Sequence, residues 1–429
     1  MSTAFFWIFL MLLALGTPVV FALLVGPGLS LVLDGQERYF PALLARFYNG
    51  MDSFPLLAVP FFILAGELMN SGGITRAIVN FAQSLVGHVR GGLAQVNILS
   101  SMLFAGISGS AVADASAIGK MLIPAMEQNG YRRSFAAAVT AAAAVIGPII
   151  PPSGIMVLYG FVMNVSIGAM FAAGIVPGIM IGLGLMLTTR LLAARHGLPV
   201  AAPRATWAER GRAFRGAALA LIMPAMLLGG MLSGIFTATE AAAVAAAYAL
   251  IVAPFVLRTV DWPETKRIFV STAMQSGVVL MLVGAAVTFA WLVTVSGMAE
   301  HIAAAMLRVT DDVGLLLFLT NLLLFLVGMF LDAGPAILIL GPVLAPIFTE
   351  LGVHPVHFAL VMCVNLTVGL ATPPMGLVLF VTASVSGERI ESIVKAMLPF
   401  LLVEILVIFL ITYFPALTLT VPRWLGLIQ

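Results

Sequence analysis

The chain has 429 residues, of which 62% are hydrophobic and only 9% are charged, and its formal net charge is +2. Soluble domains carry far more charge, so this composition excludes a water-soluble globular protein and predicts an all-α polytopic membrane protein. The net charge is too small to favour nucleic-acid binding, and we expect no nucleic-acid partner. The single cysteine, Cys363, excludes an internal disulfide and a cysteine-based zinc site, and a buried, inert thiol is expected there.

Long apolar runs give the chain room for about eleven to thirteen spans, counting broken ones. Because the chain lacks a basic start, the first run is predicted to be a span rather than a cleaved signal peptide. Residues 77–89 are predicted to form an amphipathic or shallow helix. Besides the hairpins and broken helices described below, the predicted spans are 4–25, 54–69, 168–189, 217–235, 238–257, 268–296 and 393–414.

Basic residues mark the connections between these spans. The hydrophilic segment 190–216 carries six of the 20 basic residues and is predicted to be a cytoplasmic loop. Arg258, Lys266 and Arg267 mark a second basic loop, and the two predicted spans between these loops keep both on one side. All five histidines lie in or beside predicted loops or helix ends, so solvation at the membrane interface is expected for them.

One stretch of the chain occurs twice. When 222 is added to each position from Gly106 to Pro177, thirteen residues coincide without a gap, and most of them are Gly or Pro. These residues set backbone shape and interrupt helices, so the pattern predicts a duplicated backbone. The first copy precedes a strongly basic loop and the second follows one, which predicts inverted repeats. The expected division is 1–216 for the first repeat with its basic loop, 217–257 for linking scaffold spans, and 258–429 for the second repeat.

Each copy is predicted to contain a re-entrant helical hairpin. The apolar arms 93–107 and 111–126 have about 15 residues, or roughly 23 Å of helix, which is short of a hydrocarbon core of about 30 Å. Two such arms joined at Ser108-Gly-Ser110 are expected to turn back inside the membrane. The second hairpin is predicted over 315–348, with its tip near Asp332-Ala-Gly-Pro335.

Each copy is also predicted to contain a broken helix. Residues 134–163 are interrupted at Pro148 and Pro151-Pro152, and residues 358–386 at Thr372-Pro-Pro-Met-Gly376. Proline removes an amide donor, so nearby carbonyl groups lose their helical partners and must be buried in protein or line a wet cavity.

Inverted repeats with broken helices are typical of secondary transporters, in which freed carbonyl groups coordinate sodium and half-helix N-termini receive anions. Small oxygen-bearing side chains beside both breaks suit a hard cation. They are Ser108, Ser110 and Ser153 in the first copy, and Asp332, Thr367 and Thr372, with Asn365 nearby, in the second. Alternatively, any single hydroxyl merely allows close helix packing.

Five ionisable residues lie inside apolar runs, where such residues are usually functional. Asp332 is the strongest candidate for a cation contact, because it lies at a predicted hairpin tip. Asp114 and Lys120 lie on different faces of one arm and are expected to pair elsewhere in a structural role. Glu240 is expected to contact a ligand or to cap a helix, Glu404 is expected to be structural, and Glu67 is left open. The chain has no nucleotide-binding loop and no zinc-helix motif, so no enzyme activity is expected.

Five separated motifs, in order along nearly the whole chain, closely resemble the large membrane subunit of tripartite ATP-independent periplasmic (TRAP) transporters. They are Leu64-Ala-Gly-Glu-Leu-Met-Asn70, Gly106-Ile-Ser-Gly-Ser-Ala-Val-Ala-Asp114 with Gly119-Lys120, Gly147-Pro-Ile-Ile-Pro-Pro-Ser-Gly154, Thr237-Ala-Thr-Glu-Ala-Ala-Ala243 and Ala371-Thr-Pro-Pro-Met-Gly376. The resemblance implies an elevator-type, sodium-coupled transporter in the bacterial inner membrane, without a cofactor other than Na⁺ as coupling ion. It also implies two protein partners, a small four-helix membrane subunit expected as a separate polypeptide and a periplasmic substrate-binding protein, besides membrane lipid.

The resemblance also implies where the ligands bind. One sodium site is expected between each hairpin tip and the break of the same copy. The sodium-binding candidates are Ser108, Gly109, Ser110, Gly147, Pro148, Ser153, Gly328, Asp332, Thr367, Gly369 and Thr372. The substrate-binding candidates are Pro151, Pro152, Ser153, Pro373, Pro374 and Gly376.

The leading hypothesis is therefore sodium-driven uptake of an organic acid anion, such as a C4-dicarboxylate or sialic acid, through a three-part system. A stand-alone sodium:carboxylate symporter of similar architecture, which needs no binding protein, is the first alternative. A membrane-embedded enzyme or a passive channel is the second, and the missing catalytic motifs weigh against the enzyme.

Overall fold

The computed structural model describes residues 3–196 and 198–428, and this part of the chain is helical almost throughout. Its α-helices are α1 Ala4–Ala14, α2 Val19–Leu33, α3 Phe40–Met51, α4 Ala58–Ser71, α5 Ile74–Val86, α6 Gly92–Ser108, α7 Ala111–Gln128, α8 Arg133–Ala144, α9 Gly154–Val162, α10 Ile167–His196, α11 Trp207–Leu232, α12 Ala238–Ile251, α13 Trp262–Val295, α14 Met298–Val309, α15 Val313–Phe330, α16 Ala333–Glu350, α17 Pro355–Gly369, α18 Leu377–Ser386, α19 Ile390–Tyr413 and α20 Ala416–Trp424. Among the described residues, eight helical segments are long and apolar enough to cross a membrane. The prediction of an all-α membrane protein is thereby confirmed.

The predicted first span, 4–25, is wrong. The chain instead forms α1 and α2, because Gly16 adopts a left-handed conformation with φ +80° and Pro18 precedes the first residue of α2. The two helices pack together so closely that a Cβ atom on Gly26 would lie 3.0 Å from the Phe5 carbonyl oxygen. Pro27, near which the span was expected to end, lies inside α2.

The predicted loop 190–216 is largely helical, which corrects its extent. Helix α10 continues to His196, and α11 begins at Trp207. A capping box starts α11: the Thr206 amide donates to Glu209 Oε2 at 2.7 Å, and the Glu209 amide donates to Thr206 Oγ1 at 3.3 Å. Arginine is a good helix former, so the basic residues extend these helices instead of ending them. The expected boundary at residue 216 therefore falls inside α11.

The hairpin arms are longer than predicted. Helices α6 and α7 have 17 and 18 residues, and α15 and α16 have 18 each. Eighteen residues give about 27 Å of helix. The two residues 109–110 connect the first pair, and residues 331–332 connect the second. Helices of this length fit either a re-entrant hairpin or two helices that each cross the membrane. Both α15 and α16 are long and apolar enough to cross it.

Both predicted helix breaks are present. The first separates α8 from α9, and the second separates α17 from α18. A cis peptide joins the two prolines in each of them, Pro151–Pro152 and Pro373–Pro374. The helix order after each break is also the same, since α10 and α19 follow α9 and α18.

The two halves of the chain interlock through corresponding elements. Helix α7 packs on α18, where a Cβ atom on Gly119 would lie 3.5 Å from Val385 Cγ1. Helix α16 packs on α9, where a Cβ atom on Gly334 would lie 3.7 Å from Leu158 Cδ1. Because α7 corresponds to α16 and α9 to α18 under the 222-residue offset, each half makes the same kind of contact with the other.

Helix α20 was not predicted, and it buries a histidine that was expected to be solvated. His357 Nδ1 lies 2.8 Å from Thr418 Oγ1, and its Nε2 lies 3.2 Å from the Thr412 carbonyl oxygen. The side chain is only 2% exposed. The prediction of interfacial solvation is wrong for this residue, because α20 covers the start of α17. Cys363 is buried, as predicted.

The crossing of α15 and α17 depends on two glycines, and we predict that Gly369→Ala destabilises the protein by about 1–3 kcal/mol. The added Cβ atom would lie 2.6 Å from the backbone of Gly328, so the helices must separate. As a control, Gly277→Ala adds a methyl group to α13 with nothing within 4 Å, which should be neutral or stabilise by about 0.5–1 kcal/mol. Thermal unfolding in detergent compares the two variants. Equal melting temperatures would contradict the close packing.

Candidate ion and substrate site

The first hairpin tip is a serine-lined turn. Gly109 ends α6 in a left-handed conformation, with φ +60°. The Ser110 amide donates to Ser108 Oγ at 3.3 Å, and Ser110 Oγ accepts from the Ala113 amide at 3.4 Å, which caps α7. Both serine side chains are partly exposed, so their oxygens lie at the surface of the tip.

This tip lies directly against the first helix break. A Cβ atom on Gly109 would lie 2.7 Å from the Pro152 carbonyl oxygen, so only glycine permits this approach. The predicted sodium-binding residues of the first copy are therefore brought together in part: Ser108, Gly109 and Ser110 form the tip, and the polypeptide at Pro152 faces it.

Asp114, for which the sequence favoured a structural role, lies between the tip and the break. Its side chain is fully buried, Ser108 Oγ donates a hydrogen bond to its Oδ1, and its Oδ2 has no hydrogen-bond partner in the described part of the chain. That carboxylate lies against Gly147 at the start of the break, where a Cβ atom would collide with Oδ2. Lys120 is exposed, so the two charges do not form a pair.

A signal for Asp114 was present in the sequence. It lies four residues after Ser110, and long side chains in a helix point back toward the N-terminus. A residue one turn into α7 therefore returns its carboxylate toward the tip. Because Gly147 lacks a side chain, the carboxylate has room between the tip and the break.

The other candidates at the first break are buried. Gly147, Pro148, Pro151, Pro152 and Ser153 all belong to the interior. Ser153 Oγ accepts from the Met156 amide at 3.4 Å and thus caps α9. One of the amide donors expected to receive an anion is therefore already occupied by Ser153.

The second hairpin tip differs from the first. Asp332 occupies the position of Ser110 and caps α16, with its Oδ1 accepting from the Ala333 amide at 2.8 Å. Its side chain is exposed, whereas that of Asp114 is buried. Gly328 and Gly369 lie in contact, which brings α15 against the end of α17. The carboxylate that the structure places between a tip and a break is thus Asp114.

The second break offers hydroxyl and carbonyl oxygens. Thr367 Oγ1 donates to the Cys363 carbonyl at 2.7 Å, and Thr372 Oγ1 donates to the Val368 carbonyl at 2.9 Å. Each hydroxyl keeps lone pairs for a further contact. At Gly376, a Cβ atom would lie 2.6 Å from the Leu370 carbonyl oxygen and 2.7 Å from that of Thr372, so two carbonyl groups converge there.

The two breaks differ in exposure. Pro151, Pro152 and Ser153 are buried, but Pro374 and Met375 are exposed, the latter by 54%. Asn365, one turn before the end of α17, points elsewhere: its Nδ2 donates to Asn321 Oδ1 at 2.7 Å, and Asn321 Nδ2 donates to Thr412 Oγ1 at 2.9 Å. Asn365 therefore links α17 to α15 and α19.

The remaining carboxylates have separate surroundings. Glu240 forms a capping box with Thr237 at the start of α12. Of its two expected roles, ligand contact and helix cap, the structure shows the cap. Glu67 Oε1 accepts from Gln275 Nε2 at 2.9 Å, which joins α4 to α13. Glu404 in α19 is fully buried, and neither of its oxygens has a hydrogen-bond partner among the described residues.

Taken together, the first tip and break form the best-built cation candidate. A buried carboxylate oxygen without a donor is costly unless something positive compensates it. Ser108 Oγ donates to the other oxygen of the same carboxylate, and the tip that carries Ser108 and Ser110 faces the Pro152 carbonyl group. Several oxygens that suit a hard cation therefore lie at this tip and break.

Comparisons with known proteins agree on one family. The family model described as "Tripartite ATP-independent periplasmic transporter, DctM component" matches residues 6–417. The chain is 39% identical over 413 residues to the sialic acid TRAP transporter large permease protein SiaM of Vibrio cholerae, covering 96% of each chain. It is 38% identical over 386 residues to the C4-dicarboxylate TRAP transporter large permease protein DctM of Pseudomonas aeruginosa, covering 90% of each.

A solved structure shares the fold. The YdaH transporter of Alcanivorax borkumensis aligns with a TM-score of 0.62 at 18% identity, covering 92% of this chain and 89% of its own. At that identity, the likeness concerns the fold alone. The family model and the two relatives, in contrast, cover most of this chain. The chain therefore belongs to the DctM family, the large permease component of tripartite ATP-independent periplasmic transporters, and it is a transport subunit rather than an enzyme.

Proposed function

We propose that this chain is the sodium-coupled translocating subunit of a tripartite symporter that carries an organic acid anion across the bacterial inner membrane. The observation that carries the proposal is the buried Asp114 carboxylate, with one oxygen unpartnered, between a hairpin tip and a helix break. Its partners are a small four-helix membrane subunit and a periplasmic binding protein that delivers the substrate.

The interlocked contacts support inverted repeats. Contact of α7 with α18 and of α16 with α9 is the reciprocal pattern that a two-fold axis generates. Helix α7 ends beside the start of α19, since Gly130 and Ser134 line a cavity together with Ser392. Helix α17, which follows α16, begins beside the end of α19, where His357 contacts Thr412. The repeated hairpins thus end at opposite ends of α19, as expected for inverted copies.

The packing of α11 and α12 supports an elevator mechanism. Helix α12 packs on α4, and α11 packs on α5 and α6. At the α6–α11 contact, a Cβ atom on Gly106 would lie 2.7 Å from Pro224 Cβ. We assign the segment 217–257 to a scaffold and both hairpins to the moving domain. A seam without a large side chain at Gly106 suits sliding of one domain past the other.

We assign the first sodium site to Ser108, Ser110, Asp114 and the backbone at Gly109, Gly147 and Pro152. The second is assigned to the second tip and break, where Thr367 and Thr372 supply hydroxyls and the exposed Asp332 lies at the tip. The direct contact of Gly328 with Gly369 brings α15 against the end of α17 there. Freed carbonyl groups at broken helices serve as sodium ligands in transporters.

The substrate is assigned to the second break. Pro374 and Met375 are exposed there, and the helix N-terminus of α18 has no side-chain cap. Free amide groups at a helix N-terminus favour an anion. The relatives named for sialic acid and for C4-dicarboxylates support a carboxylate substrate.

The distribution of charge supports a cytoplasmic position for the end of the molecule where α6 and α11 begin. The Gly91 amide donates to the Pro199 carbonyl at 3.1 Å, and Arg210 Nε donates to the Ser84 carbonyl at 3.3 Å, so the connections before α6 and α11 meet. Basic residues in these connections are typical of the cytoplasmic side.

Uptake by proteoliposomes tests the proposed function. They contain this chain and the small subunit, with radiolabelled succinate or sialic acid, an inward sodium gradient, and the binding protein added or withheld. Accumulation should require both sodium and the binding protein, because the gradient drives transport and the binding protein delivers the substrate. Accumulation without the binding protein would contradict the three-part assignment.

For the coupling site, we predict that Asp114→Asn raises the sodium concentration for half-maximal uptake by about tenfold or more, since it removes the charged ligand but keeps the shape. Asp332→Asn and Ser110→Ala should cause smaller increases, because Asp332 is exposed and Ser110 supplies a neutral oxygen. Glu350→Gln at the end of α16 removes the same charge far from the tips and serves as the control. A sodium titration identical to wild type in Asp114→Asn would remove this residue from the site.

The breaks themselves can be tested with the double variant Pro152→Ala, Pro374→Ala. Alanine restores an amide donor at each position and favours continuous helix, so carbonyl groups that face the tips should be lost to helical bonds. We expect uptake to fall at least about tenfold while the protein remains folded by circular dichroism. Wild-type uptake in this variant would show that transport does not need the breaks.

A further inference from the structure

A cavity of about 470 Å³ lies at the basic end of the molecule, remote from both hairpin tips. It is bounded by the start of α8, the end of α10 and the start of α19. Its polar lining consists of two cationic and two hydroxyl side chains, Arg132, Lys395, Ser134 and Ser392. Neither cation forms an ion pair with any residue that the structure describes.

One helix N-terminus contributes to the same cavity. Helix α8 begins after Arg132, its first turn has no side-chain cap, and Arg132, Ser134 and Phe135 line the cavity. The amide donors of this turn therefore remain open to an anion. With the two cations, they create a positive site. Glu388 and Glu391 line a separate depression that also reaches Lys395 and Ser392.

The rest of the lining is mainly apolar, with Phe135, Leu192, Leu198 and Pro399 among its residues. A site that joins two cations and hydroxyls to an apolar wall fits an amphiphilic anion better than a fully hydrated one. Basic pockets between transmembrane helices on the cytoplasmic side bind lipid head groups. The cavity lies at one end of α10 and α19, two of the helices long and apolar enough to cross a membrane, where head groups are found.

We propose that this cavity binds the phosphate group of an anionic phospholipid, with Arg132 and Lys395 as its charge partners and Ser134 and Ser392 as hydrogen-bond donors. The bound lipid then contacts α8, which precedes the first break, and α10 and α19, which follow the two breaks. This assignment stands independently of the transported substrate and of sodium.

Native mass spectrometry of the full-length protein in detergent, with phosphatidylglycerol or phosphatidylcholine added, tests the proposal. Wild-type protein should bind phosphatidylglycerol more tightly. The double variant Arg132→Gln, Lys395→Gln should bind it roughly thirtyfold more weakly, since each cation near the head group contributes. The control double variant Arg133→Gln, Arg389→Gln removes equal charge at the same end without touching the cavity lining, and it should bind within about threefold of wild type.

Equal affinities of the two double variants would overturn the assignment. If the first double variant does not fold, the single variants Arg132→Gln and Lys395→Gln should each weaken binding, and wild-type affinity in both would overturn it equally. Inorganic phosphate, added at constant ionic strength, distinguishes the source of the anion. Failure of millimolar phosphate to displace phosphatidylglycerol supports the lipid, whereas full displacement assigns the cavity to soluble phosphate and overturns the lipid assignment.

Discussion

The structure depends on one constraint, which is that a backbone group without a helical partner finds no water in the interior of a bilayer. Prolines interrupt two helices of this chain, and the polypeptide at each interruption must be covered by protein or line a wet cavity. At the first break, the tip at Gly109 approaches the Pro152 carbonyl oxygen, and Asp114 fills the space beside Gly147. At the second break, Gly328 contacts Gly369, while Pro374 remains exposed. The same covering that satisfies the fold thus gathers oxygens where a cation can bind.

The contact between the halves explains why the breaks come in pairs. Each second hairpin arm packs on the half-helix that follows the break of the other copy. A displacement of α16 therefore changes its packing against α9, and a displacement of α7 changes its packing against α18. Ser110 caps α7 and Ser153 caps α9, so the tip and break of the first copy adjoin the two helices that contact the second copy. The proposed first sodium site therefore lies beside helices that contact the other copy, which is the arrangement that the proposed coupling requires.

Glycine and proline made the backbone predictable from the sequence, because their effect is local. Both breaks and both tips lie where the repeated Gly and Pro residues predicted them. Side-chain placement was less predictable, because it depends on packing between distant segments. Asp114 is buried against Gly147 of the first break, and His357 is covered by α20, which local patterns did not indicate. The first span was wrong because Gly16 and Pro18 divide a run whose hydropathy is continuous. The predicted loop 190–216 is too long because most of its arginines lie inside α10 and α11, and charge does not end a helix.

The most direct test of the central claim is sodium binding itself, measured by thermal unfolding of the purified protein without substrate. A ligand that binds only the folded state raises the melting temperature in proportion to the logarithm of its concentration above its Kd. Sodium should therefore stabilise the wild-type protein relative to potassium at equal ionic strength, and Asp114→Asn should lose most of this difference. An equal sodium-specific stabilisation in the wild type and in Asp114→Asn would contradict the assignment of the first tip and break as a sodium site.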